Sequence, residues 1–169
     1  MIKQLYPAVK IIILSMHNEH SMISRLMEIG ANSYLTKNTD SDTIRLRLQA
    51  YERITLLTER IALQNLLSRQ NNPGLSCRQM QISLIDSIKQ EYDYNISQQI
   101  YVSPEVWRAV NNLKEQNIYI INQLAATLPP QASGIDLNKH IIDYLINNAN
   151  ASLHNIVLEA INYEAKKIM

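Results

Sequence analysis

The sequence predicts a mainly α fold: a short parallel strand–helix–strand segment over residues 1–44, then a bundle of about five helices over residues 45–169. Three observations lead there. The 169 residues include only three glycines, Gly30, Gly74 and Gly134, too few for the corners of an all-β protein or a loop-rich enzyme. From about Ser41 onward the apolar residues recur at helical steps along one face. Near the N-terminus the run Ile11–Leu14 is instead continuous and mostly β-branched, the pattern of a parallel strand buried on both faces.

The elements follow in order. Residues 10–15 read as the first strand, ending on Ser15. Met22, Ile23, Leu26, Met27 and Ile29 give a helix within residues 17–32, closed by Gly30 as its C-terminal cap. Residues 33–36 form a second short strand, completing a parallel crossover unit. Ile44, Leu48, Tyr51, Ile54, Leu57, Ile61 and Leu66 suit one long amphipathic helix over residues 42–69, stopped by the NNPG turn at 71–74. Ser76 with Gln79 is a capping box for the next helix, faced by Met80, Leu84, Ile88 and Tyr92. Residues 95–102 fit either an extended piece or a frayed helix end. Ser103 and Pro104 then start a helix carrying Val106, Val110, Leu113, Ile121, Leu124 and Leu128 up to Pro129. Asp136 is read as the cap of a helix ending near Asn147, and Ser152 as the cap of the last, ending near Lys167.

Composition narrows the classes. Apolar residues make up 46% and charged residues 18%, a globular mixture with enough material for a core. A formal net charge of +1 gives no field directed at nucleic acid, membrane surface or acidic ligands. Arg45, Arg47, Arg53 and Arg60 interleave with Asp42, Glu52 and Glu59, a solvated face rather than a nucleic-acid stripe. The single Cys77 cannot form an internal disulfide, so a cytoplasmic home is expected. No apolar run is long enough for a membrane span and no signal peptide is expected.

Residues 7–44, PAVKIIILSMHNEHSMISRLMEIGANSYLTKNTDSDTI, resemble the C-terminal third of a response-regulator receiver domain, of the subfamily that usually carries a helix-turn-helix output. The strand ending in Ser15, the GAN closure at 30–32, Tyr34 and the lysine after YLT carry the likeness. It implies Ser15 as the hydroxyl and Lys37 as the ammonium of a phosphate pocket, with Tyr34 as the switch aromatic. In that family the phosphoacceptor aspartate and the acidic pair for Mg²⁺ lie upstream, and none of the six residues before Pro7 is acidic. The expectation is therefore an inert pocket remnant, no cofactor, and a strand pair that must lean on helices or a second chain.

Residues 46–169 resemble a bacterial all-helical family without an assigned activity, through LRLQAYERITLLTERI, EYDYNISQQIYVSPEVW and ASGIDLNKHII. A different N-terminal segment is expected in such proteins, so the receiver-like piece reads as grafted near Ile44, whether by fusion, truncation or a misassembled frame. No helix-turn-helix output follows it.

Other chemistry is weak. His17 and His20 lack a third ligand, and His140 and His154 sit on separate helices. Cys77 beside Arg78 reads as a plain buried cysteine. Glu91 and Asp93 read as solvated helix-end carboxylates. Tyr92, Tyr94, Tyr101 and Trp107 gather around the Ser103 cap as the candidate partner-binding patch. The expected function is a non-enzymatic signalling, regulatory or scaffold protein with a protein partner or a homo-oligomer formed through the long helix or the receiver fragment. The alternative is a working two-component response regulator whose missing receiver half is lost by truncation or supplied in trans. A third reading is a helical enzyme using Glu91 or Cys77.

Overall fold

The structure, a computed structural model, describes residues 10–15, 20–70, 72–148 and 153–169, with the backbone alone at residues 14–15 and 34–40. The expected roles of His17 and Ser152 lie outside the described residues. The chain is mainly α and divides into two compact units, residues 1–46 and 47–169.

In the first unit, β1 (Ile12–Ser15) and β2 (Ser33–Thr36) pair in parallel, from Ile12 opposite Ser33 to Ser15 opposite Thr36. Helix α1 (His20–Glu28) is the crossover between them. Gly30 ends it with φ at 103°, a left-handed conformation that a Cβ would strain. The Ala31 N–H then reaches back to the Leu26 carbonyl at 3.1 Å. Asn32 leads into β2 with both its backbone N–H and its side-chain oxygen bonded to Ile11. The strand is not buried as its composition predicts, since Ile12 is 62% exposed and α1 has no buried residue. A continuous apolar run implies two covered faces only when helices flank both sides of a sheet.

Helix α2 (Lys37–Ile61) supplies the second unit with buried Ala50 and with Tyr51, Ile54, Leu57 and Ile61, buried at steps of three or four residues. The single helix expected over 42–69 is broken. Ala62 leaves helical conformation at φ −58°, ψ 129°, and α3 (Leu63–Arg69) continues in a new direction. No Gly or Pro marks the break. Its cause is Asn117, 56 positions away, whose Nδ2 donates to the Ile61 carbonyl at 2.8 Å. The polar group freed by the break is thus paired inside the protein.

Helix α4 (Cys77–Asn95) begins in the expected capping box of Ser76 and Gln79. Residues 95–102, ambiguous in sequence, contain a 3₁₀ turn at Ile96–Ile100. Helix α5 (Pro104–Ala126) starts at the Ser103 cap with Pro104 in its first turn. Helices α6 (Gly134–Asn147) and α7 (Leu153–Lys166) complete the unit. Helix α4 packs on α5 and α6, and α5 also packs on α6 and α7. The break at Ala62 therefore makes six helices of the expected five. The cap of α6 is Ser133 rather than Asp136; Asp136 sits three residues on and completes a second capping box, its Oδ2 accepting from the Ser133 N–H at 2.9 Å and hydroxyl at 2.7 Å.

Two consequences can be measured. Tyr51 is 2% exposed and its hydroxyl accepts from the Ser103 N–H at 3.1 Å, tying α2 to the start of α5. Tyr51→Phe should cost about 1 kcal/mol, read as a lower urea midpoint at unchanged m value. The two bonds from Ser133 hold the Asp136 carboxyl below its ordinary value. A depressed folded-state value gives stability that is present above the unfolded-state value and lost as pH falls through the folded one. Asp136→Asn should therefore destabilise at neutral pH, and the difference from the parent should vanish at acid pH in paired denaturation curves.

Candidate functional site

The receiver-like positions come together only as backbone. Ser15 closes β1, Tyr34 lies in β2 opposite Ile13, and Lys37 opens α2 directly after β2. Their side chains lie outside the described ones, and so do their roles. Among the described residues, no three His, Cys, Asp or Glu side chains approach closely enough to hold a metal ion.

The aromatic patch splits. Tyr92 and Trp107 meet with ring centroids 5.1 Å apart and planes tilted by 36°. The Lys114 ammonium lies 4.1 Å from the Tyr92 centroid and its Nζ is 2.9 Å from Glu115. Burial pushes the Tyr92 hydroxyl up, partly offset by Lys114. Tyr92, Tyr101 and Trp107 are half-buried and packed on the core, where they fasten α4 to α5. Tyr94 does not join them: it is 74% exposed and stacks under Arg53, 5.1 Å from the ring centroid. Two residues of α-helix turn a side chain by roughly 200°, so Tyr92 and Tyr94 cannot share a face of α4.

The Tyr94 side is bordered by Arg53, Leu56, Arg60 and Glu91. Glu91 is not the solvated carboxylate expected. It is 18% exposed, lies 2.5 Å from Arg60 Nη2 and 3.7 Å from Arg69 Nη1, and so ties α4 to the ends of α2 and α3. Arg69 also donates to the Arg60 carbonyl. Two guanidiniums thus share one carboxylate, a charge-assisted tie between helices. Cys77 is buried and free, its thiol pushed up by burial and by the Asp136 charge. That is the reverse of the activation a nucleophile needs.

A polar concavity lies at the break in α2. It is a cleft of about 420 Å³ bordered by Glu59, Asn65, Gln116, Asn117, Tyr144 and His154 among others. Asn65 Nδ2 donates to Glu59 Oε2 and to the Glu59 carbonyl, each at 2.9 Å. His154 Nε2 lies 3.6 Å from the same carboxylate oxygen. Its Nδ1 is buried with no protein partner among the described residues. Carboxamides and one carboxylate can hydrogen-bond a small polar guest. Sequence reading did not find this cleft because its residues come from five helices. One signal existed: Asn117 occupies an apolar step between Leu113 and Ile121, where a buried carboxamide needs a partner.

Comparison with known proteins gives two likenesses. The Transcriptional regulatory protein DegU of Brevibacillus brevis is 39% identical over 41 residues, covering 24% of this chain and 17% of that protein. The chain therefore spans about a sixth of that relative's length. No solved structure matches. The family of unknown function DUF7935 matches residues 1–168, a range that takes in the receiver-like stretch as well as the helices. The chain belongs to the family of unknown function DUF7935.

Proposed function

We propose that the protein is a non-enzymatic signalling or scaffold component, in which a receiver-like segment accompanies a helical unit that binds another protein in a reducing compartment. The observation that supports this most is the 41-residue likeness to a transcriptional regulator. The likeness brings the strand-end hydroxyl and lysine of a phosphate pocket, Ser15 and Lys37. The second unit supports the non-catalytic half of the reading, since Glu91 is clamped by two arginines and the Cys77 thiol is pushed up. The reading leaves nucleic acid out, which is supported by Arg53 and Arg60 being engaged with Asn95 and Glu91.

The test is incubation of the full chain with acetyl phosphate and Mg²⁺, followed by intact mass measurement before and after acid treatment. No acid-labile phosphoryl group should form, and Lys37→Ala should leave the melting temperature unchanged. Stoichiometric labelling would replace this reading with the second one, a working response regulator whose other receiver half comes from a longer chain or a partner. The small share of the regulator covered by the likeness favours that second reading over any other alternative.

A further inference from the structure

Helix α6 presents two apolar faces. One, formed by Gly134, Leu137, Asn138 and Ile141, is buried in the core. The other carries Ile135, Ile142 and Ile146, exposed by 38%, 46% and 69%. At 100° per residue these three fall within roughly 40° of one another around the helix. They therefore share one side of the helix, roughly 110° around from the buried residues. Lys139 and Asp143 flank one edge of it, both exposed. Neither forms an ion pair with another described residue, although the Lys139 charge acts weakly on Asp136.

We infer that this face of α6 pairs, antiparallel, with α6 of a second copy of the chain. The order of residues along the stripe is self-complementary. With a rise of about 1.5 Å per residue, a twofold axis placed close to Ile141 sets Ile135 level with Ile146 of the second copy, to within about 1 Å. The same axis sets Lys139 level with Asp143 of the second copy to within about 1 Å. Ile142 then lies beside its own symmetry mate at the centre. The axis runs perpendicular to the plane of the two helices, so both charged edges stay on one side and two reciprocal Lys139–Asp143 pairs form. A partner of one charge sign would meet one attractive and one repulsive residue along this edge; a second copy meets the opposite sign twice.

The 14 residues of α6 span about 21 Å, so the contact area is at the low end for protein pairs and the association is reversible. This inference rests on α6 alone and stands whichever way the phosphorylation experiment falls.

Sedimentation velocity on the full chain across a concentration series tests it. The parent should move from 19.4 kDa toward twice that mass as concentration rises. Lys139→Asp alone, or Asp143→Lys alone, places like charges opposite each other twice and should raise the dissociation constant by at least ten-fold. The double variant Lys139→Asp/Asp143→Lys restores opposite charges and should dimerise like the parent. Both substitutions are at exposed positions, and matched thermal melts establish that each of the three variants is folded. A parent that stays monomeric throughout, single variants that dimerise as well as the parent, or a double variant that is not rescued would each overturn the antiparallel α6 pair.

Discussion

Truncating Leu84 to alanine should lower the unfolding free energy of the helical unit by about 3 kcal/mol. Leu84 is fully buried at the middle of α4, the helix that packs on both α5 and α6. Alanine is the better helix former, so local propensity opposes the loss and whatever is measured is packing. Helices α5 and α6 both pack on α4, and backbone held by several neighbours relaxes little, which leaves a cavity rather than a collapsed site. Urea unfolding followed by far-ultraviolet circular dichroism should show the lower midpoint with an unchanged m value. Because the chain has two compact units, the transition to follow is the one that carries most of the helical signal. A loss below about 1 kcal/mol would mean that α4 shifts to fill the gap, and that the packing described around it is looser than its burial implies.

The same packing separates what the sequence disclosed from what it concealed. Local chemistry was legible wherever cause and effect lie within one turn: the Ser76–Gln79 box, the Ser103–Pro104 start and the left-handed Gly30. The period of the apolar residues also located the buried faces of α4 and α5, since a 3.6-residue repeat is itself the record of one covered side. The break at Ala62 was illegible because its cause, the carboxamide of Asn117, is distant in sequence. The capping of α6 was half legible. Both Ser133 and Asp136 are good caps, and only the geometry assigns the first to the cap and the second to the third helical position. The aromatic patch failed for a different reason. Nearness in sequence was read as nearness in space, while the turn of α4 sends Tyr92 into the α5 contact and Tyr94 outward beneath Arg53. The cleft beside the α2 break drew on too many helices for any one period to reveal it.

Replacing Gly134 with valine should cost about 2–3 kcal/mol, for a reason that lies in neither unusual backbone conformation nor helix propensity. Residues Leu75 and Gly134 join the starts of α4 and α6: the Gly134 N–H donates to the Leu75 carbonyl at 2.8 Å, and the Cys77 N–H donates to the Ala132 carbonyl at 3.0 Å. Ser76 and Ser133, the two caps, form an isolated antiparallel bridge between these bonds. The two helix starts can come this close only where one residue lacks a side chain. A Cβ at Gly134 would lie 3.0 Å from the Met80 Cβ and 3.1 Å from the Leu75 carbonyl oxygen. The first neighbour is the root of a fully buried side chain and the second is backbone, so neither yields by rotating a bond. Alanine already forces a shift of a few tenths of an ångström; the branched carbons of valine add overpacking against Met80. Two capping boxes are strained together by that displacement, so the loss should exceed what a helix start alone contributes. The diagnostic comparison is Gly134→Ala against Gly134→Val by urea unfolding, with Met80→Ala added to each. If the collision is with Met80, trimming that residue should rescue part of the valine defect and less of the alanine one. Equal penalties in all backgrounds would place the cost in the contacts with the Met80 Cβ and the Leu75 carbonyl oxygen, which alanine at position 80 leaves in place.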